Sequence, residues 1–170
     1  MILIIDFGSQ FNQLIARRVR ELHVYCQIEP PGISAEQVKA LNPEGIILSG
    51  GPASIYEKNS PKTDRGIFGL GIPVLGICYG MQFMVAALGG SVQRAAKREY
   101  GFAELEIKKA EGFFEGVKKK SSCWMSHGDS ITKLPSGFKA TASTPCLFNA
   151  STKPAVTTVL PTSVSVPVTK

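Results

Sequence analysis

The stretch VLGICYG (74–80) is an apolar run that stops at a cysteine set between glycines, Gly76 and Gly80. A strand that turns directly into a helix leaves the next residue at the carboxyl edge of its sheet, where open α/β sheets place their ligands. Cys78 is that residue. Small neighbours relieve crowding at such a bend, and the helix that follows points its amide groups and positive dipole end toward the sulfur. The same geometry serves the nucleophile elbow of hydrolases, in which the N–H of the following residue can receive a developing oxyanion. The pattern therefore reads as a presented nucleophile. It is also compatible with an inert buried thiol, the ordinary fate of a cysteine in apolar surroundings. A second element, SGGP (49–52), also follows a buried run, and its glycines permit a backbone N–H to face the same sheet edge. By itself it is equally a plain tight turn.

The elements needed to position these residues can be read from periodicity. ILIID (2–6), VYCQIE (24–29), GIILSGGP (45–52) and PVLGIC (73–78) read as four strands, three of them buried runs. Between the first two, Phe11, Leu14, Ile15, Val19 and Leu22 recur at helical spacing. Ser34 caps a helix through Leu41, with Gln37 at the capping-box position. Residues 61–70 suit a further helix, and Tyr79 to Leu88 another, ended by Gly89 and Gly90. Strands alternating with helices imply parallel βαβ units. The expected fold is α/β: an open, mostly parallel, flavodoxin-like sheet with helices on both faces. FAELEI (102–107), SCWMS (122–126) and FKATAS (138–143) suit an antiparallel extension.

At 170 residues, 44% hydrophobic and 19% charged, the chain fits one domain with a substantial core. We divide it into a domain over 1–142 and an atypical tail over 143–170, which holds ten Ser/Thr, four Pro and five Val but no acid. That composition favours an extended or disordered segment. No run of eighteen apolar residues and no basic leader precede the first strand, so a soluble, cytoplasmic protein is expected, with no membrane partner. The net charge of +6 is spread along the chain, and its densest group, Lys118, Lys119 and Lys120, lacks interleaved aromatics, so no nucleic-acid partner is expected. Cys26, Cys78, Cys123 and Cys146 form no CxxC pair, and only His23 and His127 accompany them. Neither a metal site nor a disulfide framework is signalled.

Five strings in order, DFGSQ (6–10), ILSGGP (47–52), GICYGMQ (76–82), KREYG (97–101) and WMSHGD (124–129), resemble the glutamine amidotransferase domain of GMP synthases, a class I (triad) amidotransferase family. The match covers about residues 1–142. The resemblance implies that Cys78 attacks the side-chain amide of glutamine, forming a thioester and releasing ammonia. It implies an oxyanion hole from the N–H groups of Gly51 and Tyr79, and substrate binding by Gln82, Ser126, His127 and Gly128. No cofactor is implied in this domain. An ATP-pyrophosphatase (synthetase) domain or subunit, using ATP and Mg, would be the partner that aminates xanthosine monophosphate (XMP) to GMP, and nothing in these residues resembles its nucleotide-binding loop.

One part of the family pattern is missing. The His-Pro-Glu triplet that activates the family's cysteine does not occur, and the region where it is expected is the acid-free tail. Acylation needs a base for the thiol and an acid for departing ammonia. His23 reads as a helix-end residue, and His127 belongs by resemblance to the glutamine pocket. Impaired turnover is the expectation, and the composition change near residue 143 has the character of a reading-frame slip or artificial junction. Arg98 and Glu99 suit either a domain contact, support for the active-site loop, or a solvated turn. Two other functions fit the residues: a glutamine-binding or partner-docking module without turnover, and a cysteine hydrolase of the DJ-1/PfpI kind, which lacks the DFGSQ and WMSHGD context.

Overall fold

A computed structural model describes residues 1–107, 115–140, 142, 143 and 159–161. Four short strands, β1 (Ile2–Ile5), β2 (Cys26–Glu29), β3 (Gly45–Leu48) and β4 (Val74–Gly76), form a parallel sheet in the order β2-β1-β3-β4. Their register pairs Ile4 with Ile28 on one side and with Ile47 on the other. All carboxyl ends therefore lie along one edge. The helices are α1 (Asn12–Glu21), α2 (Ala35–Leu41) and α3 (Tyr79–Ala87), with a 3-10 helix at Arg65–Gly69.

Strand alternation sorts the apolar residues between two faces. Leu3, Ile5, Ile46 and Leu48 join Phe7, Val38, Ile67, Tyr79, Phe83 and Met84 in the larger core, under α2, the 3-10 helix and α3. Ile4 points the other way, to Ala16 of α1 and Cys26, with Ile2, Ile28 and Ile47 packed alongside. Each Leu, Ile, Val, Phe or Met among them, fully buried, contributes about 1.5–3 kcal/mol relative to exposure. Because both faces are covered, the strands read as continuous apolar runs rather than alternating ones.

Ser34 caps α2 through the expected capping box: its hydroxyl accepts from the Gln37 N–H at 3.2 Å, and the Gln37 side chain accepts from the Ser34 N–H at 2.9 Å. The helix expected over 61–70 is shorter and tighter, a 3-10 turn begun by Asp64, whose carboxylate accepts from Gly66 N–H at 2.8 Å and from Ala35 N–H at 2.9 Å. One carboxylate thus ties this turn to the start of α2.

The antiparallel extension is longer than its alternating segments suggest. β5 (Ser91–Ile107) pairs with β6 (Lys120–Lys133), and β8 (Ala142–Ser143) pairs with the far end of β5. β7 (Phe138–Ala140) pairs with β9 (Val159–Pro161). Apart from Ser143 and β9, the proposed tail over 143–170 lies outside the described residues. Among the described residues, no helix is long and apolar enough to cross a membrane.

Candidate functional site at the carboxyl edge of the sheet

Cys78 follows β4 by two residues and is the N-cap of α3, with φ 46° and ψ −109°. An L-residue at positive φ outside a turn is strained, and it persists only when its surroundings over-determine it. Here they do. Ile77 N–H donates to Leu48 O at 2.9 Å, Gly80 N–H to Ser49 O at 3.0 Å and Ile77 O at 2.9 Å, and Gln82 N–H to Cys78 O at 3.0 Å. The flanking glycines are required by contact. A Cβ on Gly76 would lie 2.6 Å from Met81 Cα, and one on Gly80 would lie 2.6 Å from Leu48 Cβ. The first turn of α3 therefore sits directly on the ends of β3 and β4.

The turn after β3 closes the other side. A Cβ on Gly50 would lie 3.6 Å from the Cβ of Cys78, and one on Gly51 would collide with the Phe7 carbonyl oxygen. Ser49, fully buried, accepts from Phe7 N–H at 2.9 Å and donates to Gly50 O at 2.8 Å, fixing the turn against the end of β1. Neither the Gly51 N–H nor the Tyr79 N–H donates to a backbone acceptor among the described residues. Tyr79 itself is buried by its ring, which packs edge-on against Phe7 at 5.2 Å between centroids, and its hydroxyl donates to Pro61 O at 2.5 Å.

Cys78 is half-buried, and that burial pushes its thiol above the ordinary thiol range. The positive end of α3 acts in the opposite sense on a thiolate. Cys26, by contrast, is buried, and its Sγ donates to Ala16 O at 3.5 Å. His23 ends α1 at φ 59°, exposed, with its N–H on Arg20 O at 2.9 Å.

Gln82, 3% exposed, lies one turn along α3 from Cys78, and its Nε2 donates to the backbone carbonyl of Asp129 at 2.8 Å. Asp129 is on β6, two residues beyond His127. Ser126 and His127 lie on β6 opposite Tyr100 and Glu99 of β5, so WMSHGD and KREYG are ladder partners. The side chains of Arg98, Glu99, Cys123, Trp124, Ser126 and His127 lie outside the described residues, as does Cys146. Asp129 and Ser54 were not singled out by sequence, yet the Ser54 hydroxyl donates to Asp129 Oδ2 at 2.6 Å. Asp129 stands inside a quoted motif; Ser54 carries no signal beyond following SGGP.

The family model described as glutamine amidotransferase class-I matches residues 3–152. A GMP synthase [glutamine-hydrolyzing] from Heliobacterium modesticaldum is 57% identical over 143 residues, covering 84% of this chain and 28% of that protein. One from Brachyspira hyodysenteriae is 55% identical over 144 residues, covering 85% and 28%. The chain thus spans little more than a quarter of the curated relatives it matches. The crystal structure of a Thermoplasma acidophilum protein, provisionally named as one of the subunits of GMP synthase, superposes with a TM-score of 0.74 at 32% identity, covering 85% of this chain and 72% of that one. A glutamine amidotransferase from Thermotoga maritima shares the fold, with a TM-score of 0.67 at 21% identity, covering 85% and 66%.

Proposed function

Because the chain belongs to the class-I glutamine amidotransferase family, we propose that it is the glutamine-handling part of a GMP synthase, with Cys78 as its nucleophile. The observation that carries this reading is the backbone of Cys78, held at positive φ at the head of α3 and against the Gly50 turn. The Cys78 thiolate adds to the side-chain amide carbon of glutamine, and the amide oxygen takes the negative charge. The N–H groups of Gly51 and Tyr79 receive that charge. Collapse breaks the C–N bond, the nitrogen takes up a proton and leaves as ammonia, and a glutamyl thioester remains. Water then cleaves the thioester to glutamate and returns the thiol. Gln82, Ser126, His127 and Gly128 hold the α-amino and carboxylate groups.

The ammonia goes to an ATP-pyrophosphatase partner, in the cytoplasm, where XMP is aminated to GMP; ATP and Mg belong to that partner. Residues 1–142 are the amidotransferase unit, and 143–170 stand where relatives of this family carry their activating triplet. Turnover is therefore slow, since neither the base for the thiol nor the acid for ammonia is supplied by a His-Pro-Glu triplet. Acivicin tests the nucleophile without that acid, because it brings its own chloride leaving group. A single adduct at Cys78 in the folded chain is expected; a folded chain left unmodified overturns the assignment.

A second reading is favoured by the raised Cys78 thiol together with the missing triplet: a module that binds glutamine or docks on the synthetase part without turnover. Ammonia release from glutamine, measured with and without an added synthetase part, separates the two. Release that depends on Cys78 supports the enzyme; none in either condition, alongside saturable glutamine binding, supports the module.

A further inference from the structure

Three segments distant in sequence meet at one buried residue, Asp129. Asp129 of β6 is 6% exposed. Its Oδ2 accepts from the Ser54 hydroxyl at 2.6 Å, and its backbone carbonyl accepts from Gln82 Nε2 at 2.8 Å. Ser54 lies three residues beyond Gly51, and its Oγ also accepts from Tyr56 N–H at 3.3 Å, an arrangement that folds the loop back on itself. The Tyr56 hydroxyl then donates to the carbonyl of Val92 on β5. Gln82 N–H in turn donates to Cys78 O at 3.0 Å. The turn beside the nucleophile, the helix behind it and the β5/β6 ribbon are thus joined through Ser54, Asp129 and Gln82.

The ladder between β5 and β6 breaks at this point. Arg94 pairs with Asp129 and Glu99 with His127, so β5 carries three more residues than β6 between those pairs. A bulge of this size leaves Gly128, between the paired His127 and Asp129, without a ladder partner. The ladder joins β6 to β5 and not to α3, so side-chain bonds onto β6 help set the ribbon's place relative to Cys78. The bonds from Gln82 and Ser54 fall on Asp129, the last paired residue before the break.

We propose that Ser54 and Asp129 are positioning residues for the glutamine site, with Gln82 as the strut between Asp129 and the helix that carries Cys78. This rests on the function proposed above and deepens it. Gln82 then has a second role besides facing the substrate: it holds β6, through Asp129, at a fixed distance from the nucleophile. Removing the Ser54 hydroxyl leaves Asp129 Oδ2 without that donor and loosens the loop after Gly51 from the β6 segment that carries Gly128. Misplacement by about an ångström costs on the order of a hundredfold in a reaction that depends on orientation. Simple alkylation of the same sulfur has no such dependence.

The test compares two reagents on Cys78 of the full chain: 6-diazo-5-oxo-norleucine, which has the shape of glutamine, and iodoacetamide, which does not. Ser54→Ala and Asp129→Asn are expected to slow labelling by the diazo reagent about tenfold to a hundredfold, while iodoacetamide labelling stays at the wild-type level and the chain, though melting somewhat earlier, remains fully folded at the assay temperature. Ser54→Thr, which keeps the hydroxyl, is expected to restore the diazo rate. Equal rates in wild type and Ser54→Ala overturn the positioning role while leaving the nucleophile intact. Parallel loss of both reagents' rates, or no rescue by threonine, reduces the contact to general stability and also overturns it. A wild-type chain that the diazo reagent does not label removes the proposed function itself, and this inference with it.

Discussion

Cys78 combines two costs, a strained backbone and a half-buried thiol, and each makes a measurable difference. Glycine occupies positive φ without the Cβ penalty, so Cys78→Gly is expected to be more stable than Cys78→Ala by about 1 kcal/mol or more, read from denaturant midpoints. Equal stability of the two would mean that the turn is not strained. The thiol sits above its ordinary range because burial disfavours the thiolate. Its folded value therefore exceeds the unfolded one, and its contribution to stability is intact at lower pH and lost as pH rises through the folded value. For reactivity the consequence is that iodoacetamide modification of Cys78 should climb with pH and level off later than that of the same cysteine in the unfolded chain. Gly80→Ala, which would press a methyl group against Leu48, is expected to cost about 1–3 kcal/mol or more and to disturb the turn itself. At this scale the sequence was informative: Gly76, Cys78 and Gly80 stand where close approach of α3 to the strand ends demands them.

Among the elements, those built on local rules were the legible ones. The capping box of α2 was visible as Ser34 and Gln37, and Ser34→Ala should cost about 1 kcal/mol of stability through the lost cap. Asp64 adds a pH-dependent link between that helix and the 3-10 turn. Hydrogen bonds from Ala35 and then Gly66 hold its carboxyl below the usual range. Its contribution is therefore present above the unfolded carboxyl value and lost as pH falls through the lower folded one. In Asp64→Asn the acid limb of the stability profile should be flatter than in wild type; an unchanged limb would show the clip to be irrelevant. Gly66 and Gly69 interrupt the helical spacing over 61–70, leaving a single tight turn. β5 and β6, in contrast, extend well beyond the alternating segments at 102–107 and 122–126. Their ladder continues through charged residues such as Arg94 and Lys133, where cross-strand pairing rather than alternation maintains the strand.

Across the whole molecule, parallel order was legible because both faces of the sheet are covered, so β1 and β3 appear as unbroken apolar runs. The link from Ser54 to Asp129 was not, since it joins residues 75 apart in sequence and no periodicity records it. The site is therefore assembled in two layers: an edge set by local turns at Gly50, Gly51 and Cys78, and a ribbon brought over by long-range hydrogen bonds. An edge of this kind can present a sulfur whether or not a base is present, which separates binding and alkylation of that sulfur from acylation by glutamine and turnover.

The proposed role of Cys78 as a glutamine-directed nucleophile is tested by stereospecific protection of its sulfur. The folded chain is treated with acivicin in the presence of L-glutamine or D-glutamine, and the adduct is located by peptide mapping. The account predicts that L-glutamine slows modification of Cys78 in a saturable way, that D-glutamine does not, and that Cys26 stays unmodified. Modification spread over several cysteines, or identical rates with the two enantiomers, would contradict it.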